Sequence, residues 1–209
     1  MATILRTWSY QYPWLYQFIS SMAALAVGGE RKFHQLPLQD LNIQSQTQIL
    51  DLCCGGGQAT QYLLEYSDNV TGLDASPMAL KRAAQKLPQA KYVKGMAEEM
   101  PLEDSQFDLV HTSVALHEMT AEQRQQILNE TLRVLKPGGT FAFIDLHRPT
   151  NLLFWPSLAM FIWLFETETA WQLLKADLEA EMQMIGFEQC QKQLYAGGSL
   201  QVIQGYKPA

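Results

Sequence analysis

Three consecutive glycines, Gly55 to Gly57, form the most distinctive candidate binding element of this 209-residue chain. They follow a short apolar run at residues 49–53, which predicts a buried strand, and they precede a helix-forming segment at residues 58–66. Glycine adopts positive φ without strain and places no Cβ in front of a ligand. The start of a helix presents unpaired N–H groups and the positive end of a dipole. This arrangement predicts a backbone cradle for a small ligand at the end of the first strand.

A carboxylate follows on the next predicted strand, at about the 20-residue interval that ribose-binding acids keep from a glycine turn. Residues 69–74 predict that strand, and Asp74 is its last residue. One carboxylate can accept hydrogen bonds from both hydroxyls of a ribose. Ser76 before Pro77 has the pattern of a helix N-cap and first turn, so the following helix does not need Asp74 as its cap. Asp74 therefore predicts a ligand that contains a nucleoside.

Two histidines lie just past later predicted strands, where they can act as general bases. His117 follows the strand predicted at residues 107–113, and His147 follows the strand predicted at residues 140–146. A base is required when the reacting nucleophile carries a proton. A purely structural role, with the imidazole hydrogen-bonded inside the protein, stays open for both residues.

Composition and cysteine spacing exclude several classes of protein. Cys53, Cys54 and Cys190 have neither metal-ligand spacing nor the pattern of a disulfide framework, which predicts no metal site and a reduced, cytoplasmic setting. A net charge of −6, without a basic run longer than two residues, argues against a nucleic-acid partner. The most apolar segment, residues 152–165, contains Pro156 and is shorter than the roughly 20 residues of a membrane-spanning helix. At most peripheral membrane contact is expected.

Strand and helix patterns alternate along the chain, which predicts an α/β fold. Two final strands joined at Gly197 and Gly198 predict an antiparallel hairpin, and Gly186 has the character of a helix C-cap. The predicted strands are residues 49–53, 69–74, 91–95, 107–113, 140–146, 187–195 and 200–206, and the predicted helices that connect them include residues 58–66, 78–87, 121–135 and 177–185.

Several motifs resemble, in the same order and at matching intervals, those of the class I S-adenosylmethionine-dependent methyltransferases. Residues 51–57 resemble D-x-G-x-G-x-G, residues 72–76 resemble G-x-D-x-S, residues 95–101 resemble G-D-A-x-x-L-P, and residues 132–139 contain the phrase K-P-G-G. The chain departs from the family at Cys53, where a glycine is usual, and at Met96, where an acid usually contacts the adenine; Glu98 is an alternative acceptor. The resemblance covers residues 46–206.

The resemblance implies a Rossmann-like, mostly parallel sheet of seven strands in the order 3-2-1-4-5-7-6, with helices on both faces and an antiparallel C-terminal strand. It also implies S-adenosylmethionine as cofactor, whose methyl group is displaced in line by a nucleophilic atom of the acceptor. His117 is then the first candidate for a catalytic base and His147 the second. The implied cofactor-binding residues are Asp51, Cys53, Gly55, Gly57, Asp74, Ala75, Met96, Ala97 and Ser113.

Two further segments surround this predicted methyltransferase domain at residues 46–209. Residues 1–45 form an aromatic-rich helical extension, with a helix predicted at residues 14–27, that either folds over the cofactor as a lid or packs on the sheet. Residues 147–175 form an insert rich in aromatic side chains, such as Trp155, Phe161 and Trp163. These side chains either roof an apolar acceptor or cover the sheet. Within the family, the chain looks nearest to enzymes that act on isoprenoid quinones and lipids, which predicts a small lipophilic acceptor.

Two other classes of function compete with this interpretation. A nicotinamide-dependent oxidoreductase needs a third small residue where this chain has Thr60, and it does not account for the K-P-G-G phrase. A catalytically weak module that binds S-adenosylmethionine without turnover is compatible with the departures at Cys53 and Met96. Cys53 is compatible with binding, because only the backbone at that position must approach the ligand.

Overall fold

The computed structural model describes residues 24–209. In this part of the chain, one seven-stranded sheet has the order β3-β2-β1-β4-β5-β7-β6, which confirms the predicted order. β1 through β5 pair in parallel, and β7 runs antiparallel to both β5 and β6. The strands are β1 (Ile49–Leu52), β2 (Val70–Asp74), β3 (Lys91–Lys94), β4 (Phe107–Ser113), β5 (Leu135–Leu146), β6 (Glu188–Tyr195) and β7 (Leu200–Tyr206).

Three of the longer helices, α3, α4 and α7, begin or end at residues that cap them. The Ser76 hydroxyl accepts a hydrogen bond from Ala79 N–H, and Thr120 forms a capping box with Gln123. Gly186 ends the last helix in the left-handed conformation, as predicted. The helices are α1 (Glu30–Gln35), α2 (Thr60–Leu63), α3 (Pro77–Lys86), α4 (Ala121–Val134), α5 (Trp155–Phe165), α6 (Glu168–Leu173) and α7 (Leu178–Ile185), with 3₁₀ turns at Leu36–Leu38, Leu116–Glu118, Leu152–Phe154 and Ala196–Gly198.

Apolar side chains pack on both faces of the sheet. On one face, Ile49, Val70 and Leu109 pack with Leu38 and Leu63. The other face carries the larger cluster, which contains Phe141, Phe143, Ile127 of α4 and Met182 of α7. Both faces are therefore covered, as expected for a parallel sheet whose crossover connections are helices.

Several predicted bounds were wrong, and three of these differences lie at the glycine turn and at the K-P-G-G phrase. β1 ends at Leu52 because Cys53 has a positive φ of 58°, and the predicted helix at 58–66 is helical only over Thr60–Leu63. β5 begins at Leu135 rather than at residue 140, since the K-P-G-G phrase pairs with the chain end: Gly138 N–H donates to the Lys207 carbonyl and Lys207 N–H donates to the Gly139 carbonyl.

The predicted N-terminal helix at residues 14–27 and its aromatic residues lie mostly outside the described residues. Gly28 and Gly29 both have positive φ, which agrees with a helix end at this point. Within residues 24–209, no helix combines the length and the apolar character that a membrane crossing requires.

Gly72 in β2 provides a test of how tightly the sheet packs under the turn after β1. A Cβ at this position would lie 2.8 Å from Cys54 Sγ and 3.1 Å from the Tyr92 ring. We expect Gly72→Ala to lower the free energy of unfolding by about 1–3 kcal/mol, measured as a lower urea midpoint. Adding Cys54→Ala removes the nearest atom and should recover part of the loss. An unchanged midpoint for Gly72→Ala would contradict the packing described.

Candidate active site

The turn after β1 has the backbone conformation that its glycines predict. Gly55 and Gly57 have φ values of 53° and 85°. Cys54 N–H donates to the Leu73 carbonyl of β2, and Gly57 N–H donates to the Cys54 carbonyl. The turn is thus attached to the neighbouring strand while its tip remains bare backbone.

Cys53 lies in this turn, which corrects the prediction of a strand that extends to residue 53. Its φ of 58° falls in the left-handed region, where a side chain costs roughly 1–2 kcal/mol. A glycine would adopt the same conformation without that cost. The physical reason for the usual glycine is therefore backbone conformation, and Cys53 retains the conformation.

Gly57 has a packing role that the sequence did not reveal. A Cβ there would lie 3.0 Å from a methyl group of Leu87 and 3.5 Å from Ala83. Gly57 therefore lets the turn approach α3. A Cβ on Gly55 would approach only Gln58, at 3.5 Å, so its surroundings leave room for a ligand.

Asp74 connects two loops at the carboxyl ends of β1 and β2. Its Oδ2 accepts from Gly55 N–H at 2.9 Å, and its Oδ1 accepts from Ser76 N–H at 2.8 Å. Because each carboxylate oxygen has two acceptor sites, both oxygens keep capacity for a further donor. Asp74 and the adjacent Ala75 therefore lie beside the glycine turn, and Ser76, not Asp74, caps α3.

The loop after β3 contains the residues predicted to surround an adenine. Ala97 is buried, and Met96 is 55% exposed, so its thioether remains accessible to a flat ring. Glu98, the alternative acceptor for an amino group, accepts a hydrogen bond from Gln123 at 2.7 Å. Glu98 is thus already held by α4.

Carboxylates surround the turn. Burial raises the pKa of the Cys53 thiol, and the negative charges of Asp74, Asp51, Glu118 and Glu98 raise this pKa further. The same negative potential stabilises a cation bound at the turn. The charge distribution therefore favours a positively charged ligand.

Asp51 is buried beneath the turn, and its carboxylate contacts residues on two elements, α2 and β4. Thr60 Oγ1 donates to Asp51 Oδ2 at 2.6 Å, and His111 Nδ1 lies 3.3 Å from Oδ1. His34 of α1 reaches the same region, where its Nδ1 is 3.2 Å from the Ser113 hydroxyl. Burial, together with the nearby His111, lowers the pKa of His34 to about 4. Asp51 and Ser113 thus belong to a buried polar group behind the glycine turn.

His117, the first predicted base, is buried between two carboxylates. Its Nδ1–H donates to Asp145 Oδ1 at 2.7 Å, and its Nε2 lies 3.5 Å from Glu166 Oε2. Burial alone lowers the pKa of His117, but Asp145 and Glu166 outweigh it and hold the pKa well above 6.5. These contacts favour the imidazolium form of His117, in which both ring nitrogens are donors.

His147 meets the requirement for a base more directly. Its Nδ1–H donates to the Gly198 carbonyl at 2.8 Å, and its backbone N–H donates to the Ser199 carbonyl. A neutral imidazole that donates through Nδ1 carries a lone pair on Nε2. The β6–β7 connection thus selects the tautomer that a general base needs.

Sequence patterns missed Asp145 and Glu166, which determine the state of His117. Asp145 is buried near the end of β5. Its carboxylate also accepts hydrogen bonds from the backbone N–H groups of Leu116 and Leu146. Glu166 lies directly after α5 in the insert. An acid near the end of β5 was a usable signal for Asp145, but no local signal pairs Glu166 with His117, 49 positions earlier in the chain.

One group of side chains in residues 24–209 has the donors of a metal site. Ligand atoms of His117, Glu118 and Glu166 all lie within 4.8 Å of one another. A metal ion bound there would have to displace the proton from His117 Nε2, because only a neutral imidazole nitrogen is a ligand. The sequence-based prediction that the protein has no metal site stays a prediction.

Comparisons with known proteins agree with this geometry. The model of the methyltransferase domain family matches residues 50–143. An uncharacterized methyltransferase of Synechocystis sp. is 62% identical over 204 residues, which cover 98% of this chain and 96% of the relative. The chain belongs to the class I S-adenosylmethionine-dependent methyltransferases.

More distant relatives of this methyltransferase indicate its neighbours within the family. A demethylmenaquinone methyltransferase of Lactiplantibacillus plantarum is 32% identical over 141 residues. These residues cover 63% of this chain and 59% of the relative's length. The solved structure of an S-adenosylmethionine-dependent methyltransferase from Thermotoga maritima aligns with this chain with 19% identity and a TM-score of 0.68. The alignment covers 97% of this chain and 99% of the chain from Thermotoga maritima. This second likeness shows that the fold is shared.

S-adenosylmethionine is the cofactor of this methyltransferase, and the site has the chemistry to hold it. The positive sulfonium and ammonium groups of the cofactor suit the carboxylates around Cys53. A ribose suits the two oxygens of Asp74, which accept from Gly55 N–H and Ser76 N–H and keep acceptor capacity for further donors. Roles for the individual residues, including Cys53, Met96, Ala97 and Ser113, stay predictions.

The protonation state of His117 gives a prediction with a defined sign. Because the folded-state pKa is raised above 6.5, the stabilisation from His117 is complete below pH 6.5 and is lost as the pH rises through the folded-state value. We expect the imidazole NMR signals of His117 to show a protonated ring at pH 7.5, and Asp145→Asn to lower its pKa. Asp104→Asn, at an exposed acid beside Arg133, is the control and should leave the titration unchanged. A neutral His117 ring at pH 7 would contradict this account.

Proposed function

We propose that this methyltransferase transfers the methyl group of S-adenosylmethionine to a small lipophilic acceptor of the quinol or lipid class. The observation that carries the proposal is the apolar insert between β5 and α7, which reaches the carboxyl ends of the strands through the contact of Glu166 with His117. The similarity to demethylmenaquinone methyltransferases supports the same class of acceptor.

The reaction at such a site needs alignment more than covalent participation by the protein. S-adenosylmethionine supplies an electrophilic methyl carbon: the acceptor atom forms the new bond to this carbon while the bond to sulfur breaks and leaves its electron pair on sulfur. Holding donor and acceptor in line can contribute roughly 7–11 kcal/mol. In the proposal, Asp74 and the turn around Gly55 hold the nucleoside, and the carboxylates near Cys53 hold the positive charge.

An acceptor hydroxyl or ring carbon must also lose a proton. We assign this proton to Nε2 of His147, whose Nδ1–H is engaged by the Gly198 carbonyl. His117, as an imidazolium between Asp145 and Glu166, instead holds the end of α5 in place. The proposal therefore reverses the order in which the sequence ranked the two histidines.

The N-terminal lid is proposed in a restricted form. Residues of the 3₁₀ turn Leu36–Leu38 are buried on the sheet, and the Gln204 amide donates to the carbonyls of Pro37 and Gln39. This packing supports the proposal that residues 30–45 belong to the methyltransferase domain. The lid is therefore proposed for the residues before Glu30, most of which lie outside the described range.

The two rival functions have less support. The comparisons favour a methyltransferase over a nicotinamide-dependent oxidoreductase. A module without turnover was suggested by Cys53 and Met96, yet Cys53 keeps the backbone conformation of the usual glycine. The carboxylates around Cys53, whose charge suits the cofactor, are present in this chain.

Asp74 tests the cofactor site. We expect Asp74→Ala to weaken binding of S-adenosylhomocysteine about 10- to 100-fold in calorimetry, because hydrogen bonds to a charged group are worth about 1.5–3 kcal/mol each. Asp74→Asn keeps one acceptor oxygen and should lose less.

The control is Asp68→Ala, at an exposed acid just before β2, which should leave the affinity unchanged. Circular dichroism and the thermal midpoint of each variant exclude loss of the fold as the cause. Unchanged affinity in Asp74→Ala would place the nucleoside elsewhere.

The acceptor class is tested by mass spectrometry with isotopically labelled cofactor. We expect labelled product from quinols and lipids that carry an apolar chain. With such an acceptor, His147→Gln should lower kcat while the affinity for the cofactor stays the same. Turnover confined to polar acceptors would overturn the proposed acceptor class without affecting the assignment to the family.

A further inference from the structure

An apolar surface, formed by the 3₁₀ turn Leu152–Phe154 and by the outer side of α5, projects from the insert. Residues 151–165 contain no ionisable side chain. Leu158 and Ile162 of α5 are buried against the domain, whereas four other large side chains point outward. Their exposed fractions are 82% for Leu152, 84% for Leu153, 60% for Met160 and 71% for Trp163.

This surface is anchored beside the carboxyl ends of the strands. The backbone N–H groups of Thr150 and Asn151 both donate to the Gly197 carbonyl, and the Phe154 ring occupies the space where a Cβ of Gly197 would lie. At the other end of α5, Glu166 contacts His117. The outward side chains therefore belong to a segment fixed at both ends to the edge of the sheet that holds the site.

We propose that this surface docks on the headgroup–acyl boundary of an uncharged lipid bilayer. The inference rests on the proposed function, because an acceptor with an apolar tail must pass from its lipid phase into the site, and the surface adjoins that site. Membrane docking thereby shortens the distance that the tail must cross through water.

The chemistry of the surface favours a neutral bilayer over other occupants. The outward side chains offer almost no hydrogen-bonding groups that a protein partner would need for specific recognition. Trp163 and Trp155 are the residue type that prefers the membrane interface, with an apolar body and one N–H donor. A segment without basic residues, in a chain of net charge −6, gains nothing from anionic headgroups.

The dimensions of α5 agree with docking in the plane of the membrane. Its 11 residues span about 16 Å, roughly half of the 30 Å hydrocarbon core. Since Leu158 and Ile162 stay packed on the domain, only one side of the helix enters the boundary, as in interfacial helices.

The test is flotation of the 209-residue protein with phosphatidylcholine vesicles. We expect the wild type to float with the vesicles, and Leu153→Asp combined with Trp163→Asp to lower the partition coefficient at least tenfold. The matched control is Met184→Asp, because Met184 is 79% exposed on α7, outside the surface. This control should float like the wild type, and binding should change little between low and high salt.

Other results would overturn the inference. These are wild-type protein that does not float, flotation only with anionic lipids, equal losses in the Met184 control, or a change of oligomeric mass in the double variant without any vesicle binding.

Methylation of a short-chain, water-soluble quinol separates this inference from the proposed function. If docking is absent but this quinol is methylated, only the inference fails; if docking is present but no quinol or lipid is methylated, the proposed function fails.

Discussion

The site depends on the hydrogen bonds of the Asp74 carboxylate, because they join two loops that lie far apart in the sequence. One oxygen holds Gly55 of the turn after β1, and the other holds Ser76 at the start of α3. The parallel pairing of β1 with β2 brings these loops together, and Cys54 N–H adds a bond to Leu73. The bare backbone of the turn is therefore fixed at a carboxylate that retains acceptor capacity for a ribose.

The carboxylates at this edge of the sheet form two groups. Around Cys53, burial and the negative charges of the surrounding carboxylates raise the pKa of the thiol, and a positively charged cofactor suits these charges. Around His117, the carboxylates Asp145 and Glu166 raise the pKa of the imidazole well above 6.5 and contact both of its nitrogens. The first group suits ligand binding. The second group holds the insert in place through the contact of Glu166 with His117.

Local patterns were sufficient to predict much of the fold. Alternating strand and helix signals, the cap at Ser76 and the C-cap at Gly186 depend on nearby residues, and the family resemblance supplied the strand order. Long-range contacts were not predictable: the pairing of His117 with Glu166 depends on how α5 packs, and the early start of β5 depends on Lys207 at the end of the chain. The candidate residue Asp74 could be located from the sequence because its position relative to the glycine turn follows from strand pairing, whereas the protonation state of His117 depends on the assembled surroundings.

The most direct measurement of the central claim is a crystal structure of the protein with S-adenosylhomocysteine. The account predicts that the ribose hydroxyls lie within hydrogen-bonding distance of Asp74 and that the homocysteine part follows the backbone of Gly55. A nucleoside bound at another edge of the sheet, or a turn closed by side chains with Asp74 facing away from the ligand, would contradict it.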